Sequence, residues 1–350
     1  MHEPIKIKPI SEVAQFHKNL IPINIPATYA LKPAFKNLTN VCAGVIAFRD
    51  FLLEFCDRLA SDGHLYAKPP KKPTSMADYP FINHVCGLLV EIGYNGKLAE
   101  DGDLLVATAL PPKIPKSSLL NCMKFLSLCG FIFTGIGTET EPLEVSFPDN
   151  PMVLTGLKAM AIADMELRTG RRYSNDNYIL RCDYRLLKAE ESDMGDVLAD
   201  LLQTLPAKIR DFVLNLHKRY IDMGLTCITT RLGSISFAYV FFGTTNRTLS
   251  ERDLYAKRVW EINYSIRNSY CLFVRAKKTD KYADVIKTFP VSLQEKIAQG
   301  YGCYRKLGRN RCQVDCQGIR IPLDESILDM AEHIETWLDA ETPNALKKEA

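Results

Sequence analysis

Ser234-Ile-Ser-Phe-Ala-Tyr-Val-Phe-Phe242 and Arg258-Val-Trp-Glu-Ile-Asn-Tyr-Ser-Ile266 decide the fold class. In the first stretch Ile235, Phe237, Tyr239 and Phe241 alternate with Ser234, Ser236 and Ala238. In the second, Trp260, Ile262, Tyr264 and Ile266 alternate with Val259, Glu261, Asn263 and Ser265. A period of two sends successive side chains to opposite faces of a strand. Apolar runs at 225–231 and 270–276 flank this pair, and the connections at 232–233 and 267–269 are short enough for hairpins. The pattern predicts an antiparallel meander with one face covered by helices, the segment 244–257 forming the tip of its longer hairpin.

Working outward, residues 205–224 read as a helix with Ile209, Phe212, Val213, Leu216 and Tyr220 inward. Helices near 280–289 and 292–300 follow the strands, the second opened by a capping box at Ser292 and Glu295. A last helix runs from Asp324 with Ile327, Ala331, Ile334 and Leu338 on one side. Upstream, Val41, Val45, Phe48, Leu52, Phe55 and Leu59 define an amphipathic helix that Asp62-Gly63 should stop. Before it, Pro4, Pro9, Pro22, Pro26 and Pro33 forbid long helices and suggest an extended arm over residues 1–36. Lys68-Pro-Pro-Lys-Lys-Pro73 reads as a solvated basic loop.

Between 79 and 148 the order is helix (79–92), short apolar segment (104–110), helix (116–130, ending in Gly), strand, acidic turn and strand (143–147). A further helix covers 152–168. The order over 78–148 resembles a winged-helix domain, with 116–133 similar to its third helix entering the wing. Winged-helix DNA binders read bases with Arg, Lys, Asn or Gln, whereas here Lys116, Ser117, Ser118, Asn121 and Lys124 are offered and Glu139, Glu141 and Glu144 make the wing acidic. The resemblance therefore implies either a nucleic-acid contact or a packing or dimerisation module. The whole reads as an α+β protein with an extended arm (1–36), a mostly helical, winged-helix-like domain (37–172), an α+β domain (173–342) with an antiparallel meander sheet flanked by helices, and a tail (343–350).

The chain has 350 residues, 47% of them hydrophobic and 24% charged, which excludes a disordered or collagenous protein. Its 44 basic and 41 acidic side chains leave a formal +3, so an anionic partner would need a local patch. Eleven cysteines, an odd number mostly within apolar patterns, argue for reduced thiols and a cytoplasmic protein. The N-terminus lacks a signal-peptide pattern, and the uncharged stretches 125–138 and 232–246 fall short of the roughly eighteen residues a spanning helix needs, so no membrane is expected. Dinucleotide, P-loop, HExxH and nucleophile-elbow signatures are missing, so no nucleotide cofactor is indicated. Asp183, Glu190, Glu191 and Asp193 cluster in the sequence, as an acid–base pair, a hard-metal site or a solvated acidic loop would, and an unrecognised enzyme site in the C-terminal domain would draw on Asp183, Glu190 and His217. No catalytic residue is assigned. The class these features favour is a binding or regulatory protein, with an enzyme or a nucleic-acid binder as alternatives.

One loop stands apart. Cys303, Cys312 and Cys316 fall in a polar, Gly-rich segment between two helices, a spacing that can wrap three thiolates around one zinc ion. The fourth donor would be Cys271, Cys227, Cys182, His217 or water; the alternatives are a redox set or free thiols. Arg305, Lys306, Arg309 and Arg311, interleaved with Tyr301 and Tyr304, give the same loop the means to contact nucleic acid or another anion, or a protein partner. Gly-Tyr-Gly-Cys at 300–303 and Cys-Gln-Gly-Ile-Arg-Ile-Pro-Leu-Asp at 316–324 resemble segments of uncharacterised bacterial proteins, which implies a shared module and no activity. If the loop holds zinc, elemental analysis of protein purified without a histidine tag should find about one equivalent. Cys312→Ser should remove it and Cys56→Ser should not; less than about a tenth of an equivalent in reduced protein refutes the site.

Overall fold

The computed structural model describes residues 7–69, 79–99, 104–107, 116–135, 143–168, 178–230, 235–242, 257–266, 269–276, 279–300 and 318–342. The chain is α+β, with helices dominating the N-terminal half and a five-stranded antiparallel sheet in the C-terminal half. It divides into two compact units, Met1–Ser192 and Asp193–Ala350.

The first unit is built on α2 (Val41–Tyr66), whose apolar stripe, Val45, Phe48, Leu52, Phe55 and Leu59, is fully buried. Asp62-Gly63 does not stop this helix. Gly63 is instead where α1 (Ile10–Lys18) crosses, an added Cβ there lying 3.0 Å from Ile10. The arm is thus not extended throughout, because Ile10, Val13, Ala14 and Phe16 form a helical face that packs on α2. α5 (Met152–Arg168) crosses the other side of α2 with Gly156 against Gly44. A Cβ on Gly156 would run into the Gly44 carbonyl oxygen and come within 2.6 Å of Phe48 Cβ. α3 (Pro80–Asn95) meets α5 in the same way, Gly93 lying against Ala161 and the Leu157 carbonyl. Lys158 of α5 then donates to the carbonyls of Gly93, Tyr94 and Gly96, closing the C-terminal end of α3 where exposed carbonyls favour a cation.

After α3 come β1 (Lys97–Leu98), β2 (Leu104–Ala107), α4 (Lys116–Leu128), β3 (Ile132–Thr134) and β4 (Leu143–Ser146), forming an antiparallel sheet of order β1-β2-β4-β3. The first unit extends past residue 172 to Ser192. Ile179 N–H donates to Asp164, Lys32 N–H to the Leu187 carbonyl and Ala189 N–H to the Ala30 carbonyl, so the polar segment that sequence places in the second domain is stitched to the first. Its apolar members Ile179, Leu180 and Leu187 are buried.

In the second unit α6 (Met194–Leu201) and α7 (Ala207–Asp222) precede β5 (Thr226–Thr230), β6 (Ile235–Val240), β7 (Arg258–Ser265) and β8 (Ser269–Val274). α8 (Ala283–Lys287) and α9 (Val291–Gly300) lead to β9 (Ile319–Pro322) and α10 (Ala331–Glu341). The strands lie in chain order, β5-β6-β7-β8-β9, all antiparallel. β9 is an addition to the meander read from sequence; its Ile-Arg-Ile-Pro run is too short for periodicity to settle. Ser292 lies inside α9, and the Pro290 carbonyl accepts the first helical N–H groups, so the Ser292–Glu295 capping box is not used as expected.

One face of the sheet carries Phe237, Tyr239, Trp260, Ile262 and Leu272 under the helices: Tyr220 of α7 meets Trp260 edge-on, and Tyr270 donates to the Leu201 carbonyl of α6. The other face is buried at its centre too, at Ser236, Ala238, Val240, Glu261 and Phe273. Register explains its charge. Tyr239 pairs with Trp260 but Val240 pairs with Arg258, so Val259 is bulged and Arg258 turns to the Glu261 face.

Gly156→Ala should destabilise the first unit by about 3 kcal/mol, since overpacking against backbone outweighs the gain in helix propensity of about 1 kcal/mol; urea denaturation checks it, and an unchanged midpoint would refute the close crossing. His17 gives a second expectation. It is buried, and burial, with Arg181 nearby, pushes its pKa down to about 3. The unfolded chain takes up this proton below about pH 6.5 and the folded chain does not, so stability should fall with pH between about 6.5 and 3 by up to about 1.4 kcal/mol per unit. His17→Leu should lose that slope in denaturation curves recorded across this window; parallel curves for the two proteins would refute it.

Candidate functional site

α4 and the residues flanking β3 and β4 border a surface cleft of the first unit. Leu119, Cys122, Met123, Phe125 and Leu126 bury one face of α4, with Phe125 edge-on to Phe55, Tyr66 and Phe81. The helix stops at a Schellman turn: Phe131 N–H donates to the Leu126 carbonyl and Gly130 takes φ +101°. A side chain on Gly130 would also meet the Phe147 ring at 2.9 Å. The outward face of α4 then carries Ser117, Leu120, Lys124, Ser127 and Leu128. Leu120 is 47% exposed, Leu128 45% and Ile132 on β3 48%, so three of the eight large hydrophobics exposed among the described residues fall within thirteen positions.

Beside Leu128 opens a cleft of about 410 Å³, lined by Ala47, Phe51, Cys129, Phe147 and Val153 below and by Asp50, Glu54, Arg58 and Asp149 above. The aromatic floor is fixed by edge-on contacts of Phe51 and Phe131 with each other and with Phe147. Burial, with Glu54 beside it, pushes the Cys129 thiol up to about 12, so the sulfur presents itself protonated and uncharged. Asp50 is paired with Arg49 at 2.7 Å, and Glu54 with Arg58 one turn further along α2 at 3.9 Å. Asp149, exposed in the turn before α5, makes no ion pair among the described residues.

The second unit holds a different polar cluster. Glu261 of β7 accepts from Arg258 Nη1 at 2.9 Å on both oxygens, from Arg275 Nε at 2.6 Å and from Ser236 Oγ at 2.7 Å; Arg275 Nη2 also donates. All four residues are more than nine-tenths buried. Arg275 and Arg320 both lie over the Phe273 ring, at 4.3 and 4.5 Å. On the helix-covered face His217 Nδ1 lies 2.8 Å from Tyr239 Oη, and burial lowers the histidine's pKa.

Cys303, Cys312, Cys316, Arg305, Lys306, Arg309 and Arg311 lie outside the described residues, as do Glu139 and Glu141. Among the described residues no three His, Cys, Asp or Glu side chains gather as a metal site. Of the suggested fourth donors, Cys271 is buried on β8 with its thiol pushed up to about 11, and Cys227 sits on β5, at the opposite edge of the sheet from β9. Asp183 caps a short 3-10 turn and binds Arg185, and Asp193 caps α6. Asp183 and Glu190 belong to the first unit and His217 to the second. The eight described cysteines are free thiols. No described helix is long and apolar enough to cross a membrane.

Asp50, Glu54 and Asp149 belong to no motif of the sequence. The i,i+4 spacing of Asp50, Glu54 and Arg58 on the polar side of α2 was the available signal; Asp149 gave none. No family model, curated protein or solved structure matches the chain.

Proposed function

We propose that this is a partner-binding, regulatory protein whose N-terminal unit docks another protein through the outward face of α4 and the adjoining cleft. The observation that carries this reading is the pair of leucines, Leu120 and Leu128, exposed with Ile132 where a nucleic-acid reader would present cations. Apolar anchors of this kind are what protein interfaces use at their centre, with polar groups around the rim. The winged-helix likeness of residues 78–148 enters as part of the proposal: the strand order β2-β4-β3 and the helix leading into β3 support it, and in this reading α4 is a docking helix. Glu144, exposed on β4 and accepting from Thr134, adds negative charge beside the helix, which favours a protein over a phosphate backbone.

A photo-cross-linking residue placed at position 128 should give a discrete protein adduct in cells. The same residue at Lys218, exposed on α7, should not. Equal adducts from both positions would overturn the reading, as would salt-sensitive retention on DNA or RNA that Lys124→Ala abolishes.

A further inference from the structure

We propose that the open edge of β5 pairs with the same strand of a second copy of this chain, joining two five-stranded sheets about a two-fold axis. This surface is separate from α4 and stands whether or not α4 docks a partner. β5 ends the order β5-β6-β7-β8-β9 and pairs with β6 alone. Alternate backbone groups of a strand turn to opposite sides, so an edge strand offers a row of N–H and C=O groups outward. Among the described residues, no element other than β6 sends a hydrogen bond to β5. What such a row recognises is another extended backbone.

The two edges of the sheet differ in their protection. β9 is four residues long, includes Pro322, which lacks an N–H, carries the exposed Arg320 and packs against α9. These are the devices that keep sheet edges from pairing. β5, Thr-Cys-Ile-Thr-Thr over five residues, has no charge, no proline and no break in its register with β6. Thr226 on one face and Thr229 on the other are exposed, so neither face is covered up to the edge.

The strand is complementary to itself. An antiparallel two-fold centred on Ile228 sets that residue opposite its own copy, Thr226 opposite position 230 and Cys227 opposite Thr229. Each pair then belongs to a single face, so the Glu261 face of one copy continues into that of the other, as an isologous interface requires. No charges meet in this register, and a formal +3 over the whole chain sets little repulsion between copies. A charged segment would find no complementary group along β5, whereas the uncharged strand of a second copy meets like with like.

Sedimentation equilibrium of the full chain tests this. A monomer–dimer equilibrium should appear between about 1 and 200 µM, the weak range that suits a small interface. Ile228→Lys and Ile228→Glu each set like charges opposite one another and should weaken the dimer at least about tenfold. An equimolar mixture of the two variants should dimerise again, because the two-fold puts position 228 against itself; a contact away from the axis predicts no such recovery. Asp284→Lys, exposed on α8, should leave the equilibrium unchanged. Circular dichroism checks each fold, and if the Ile228 variants lose theirs, Thr229→Lys, exposed on the other face, should weaken the dimer in their place. A monomer throughout that range, a dimer indifferent to these edge substitutions, or folded Ile228 variants that stay monomeric when mixed would overturn the proposal.

Discussion

The first unit depends on one steric constraint: α5 can lie against α2 only because Gly156 faces Gly44, bringing the two backbones together without side chains between them. Ordinary helix pairs stand 8–10 Å apart, a separation set by the residues at the contact. Removing two side chains at the crossing draws Phe48 and Leu157 into the same layer, and Gly93 extends the close packing to α3. The aromatic floor of the cleft follows from this, since Phe51 lies one turn beyond Phe48 on α2 and Val153 lies one turn before Gly156 on α5. The cleft thus lies at the outer edge of a crossing that glycine permits.

The second unit is organised by a polar constraint. Burying a carboxylate is costly unless its lone pairs are filled, and Glu261 is filled by donors from three adjacent strands, Ser236 on β6, Arg258 on β7 and Arg275 just past β8. The bulge at Val259 is what makes this possible, because a regular strand would send Arg258 to the Trp260 face. On that other face the same strands present Tyr239 stacked on Trp260, a close-packed aromatic layer with no room for a guanidinium.

What sequence could show and what it could not divide along physical lines. The α+β class and the central strands β6 and β7 are legible because their alternation is sustained over many residues: Phe237, Tyr239, Trp260 and Ile262 sit where it puts them. Gly130 was legible as a helix end because its conformation is a property of the residue itself. α2 runs past Gly63 to Tyr66 although the local sequence points to a stop there, because the reason for that glycine is a neighbour 53 residues away, Ile10, and no local rule contains it. The extent of the first unit is obscured for the same reason, since the segment from Ile179 to Ala189 is held by backbone hydrogen bonds to residues 30 and 32 and by the Asp164 carboxylate, and has no strong pattern of its own. The cleft was hidden because Asp149 comes from a turn and joins Asp50 and Glu54 only once α4 and α5 are in place.

Glu261 has one more consequence, and it concerns order of assembly. A hairpin of β6 and β7 alone would give the carboxylate Ser236 and Arg258 but not Arg275, and a hairpin of β7 and β8 would omit Ser236. Each partial sheet leaves a charged group short of donors as its surroundings begin to dry, so each is held back from completing its own core. The full donor set of Glu261 thus exists only when β6, β7 and β8 are together, which ties the middle of the sheet into one cooperative unit and leaves β5 and β9 as the edges free of that constraint.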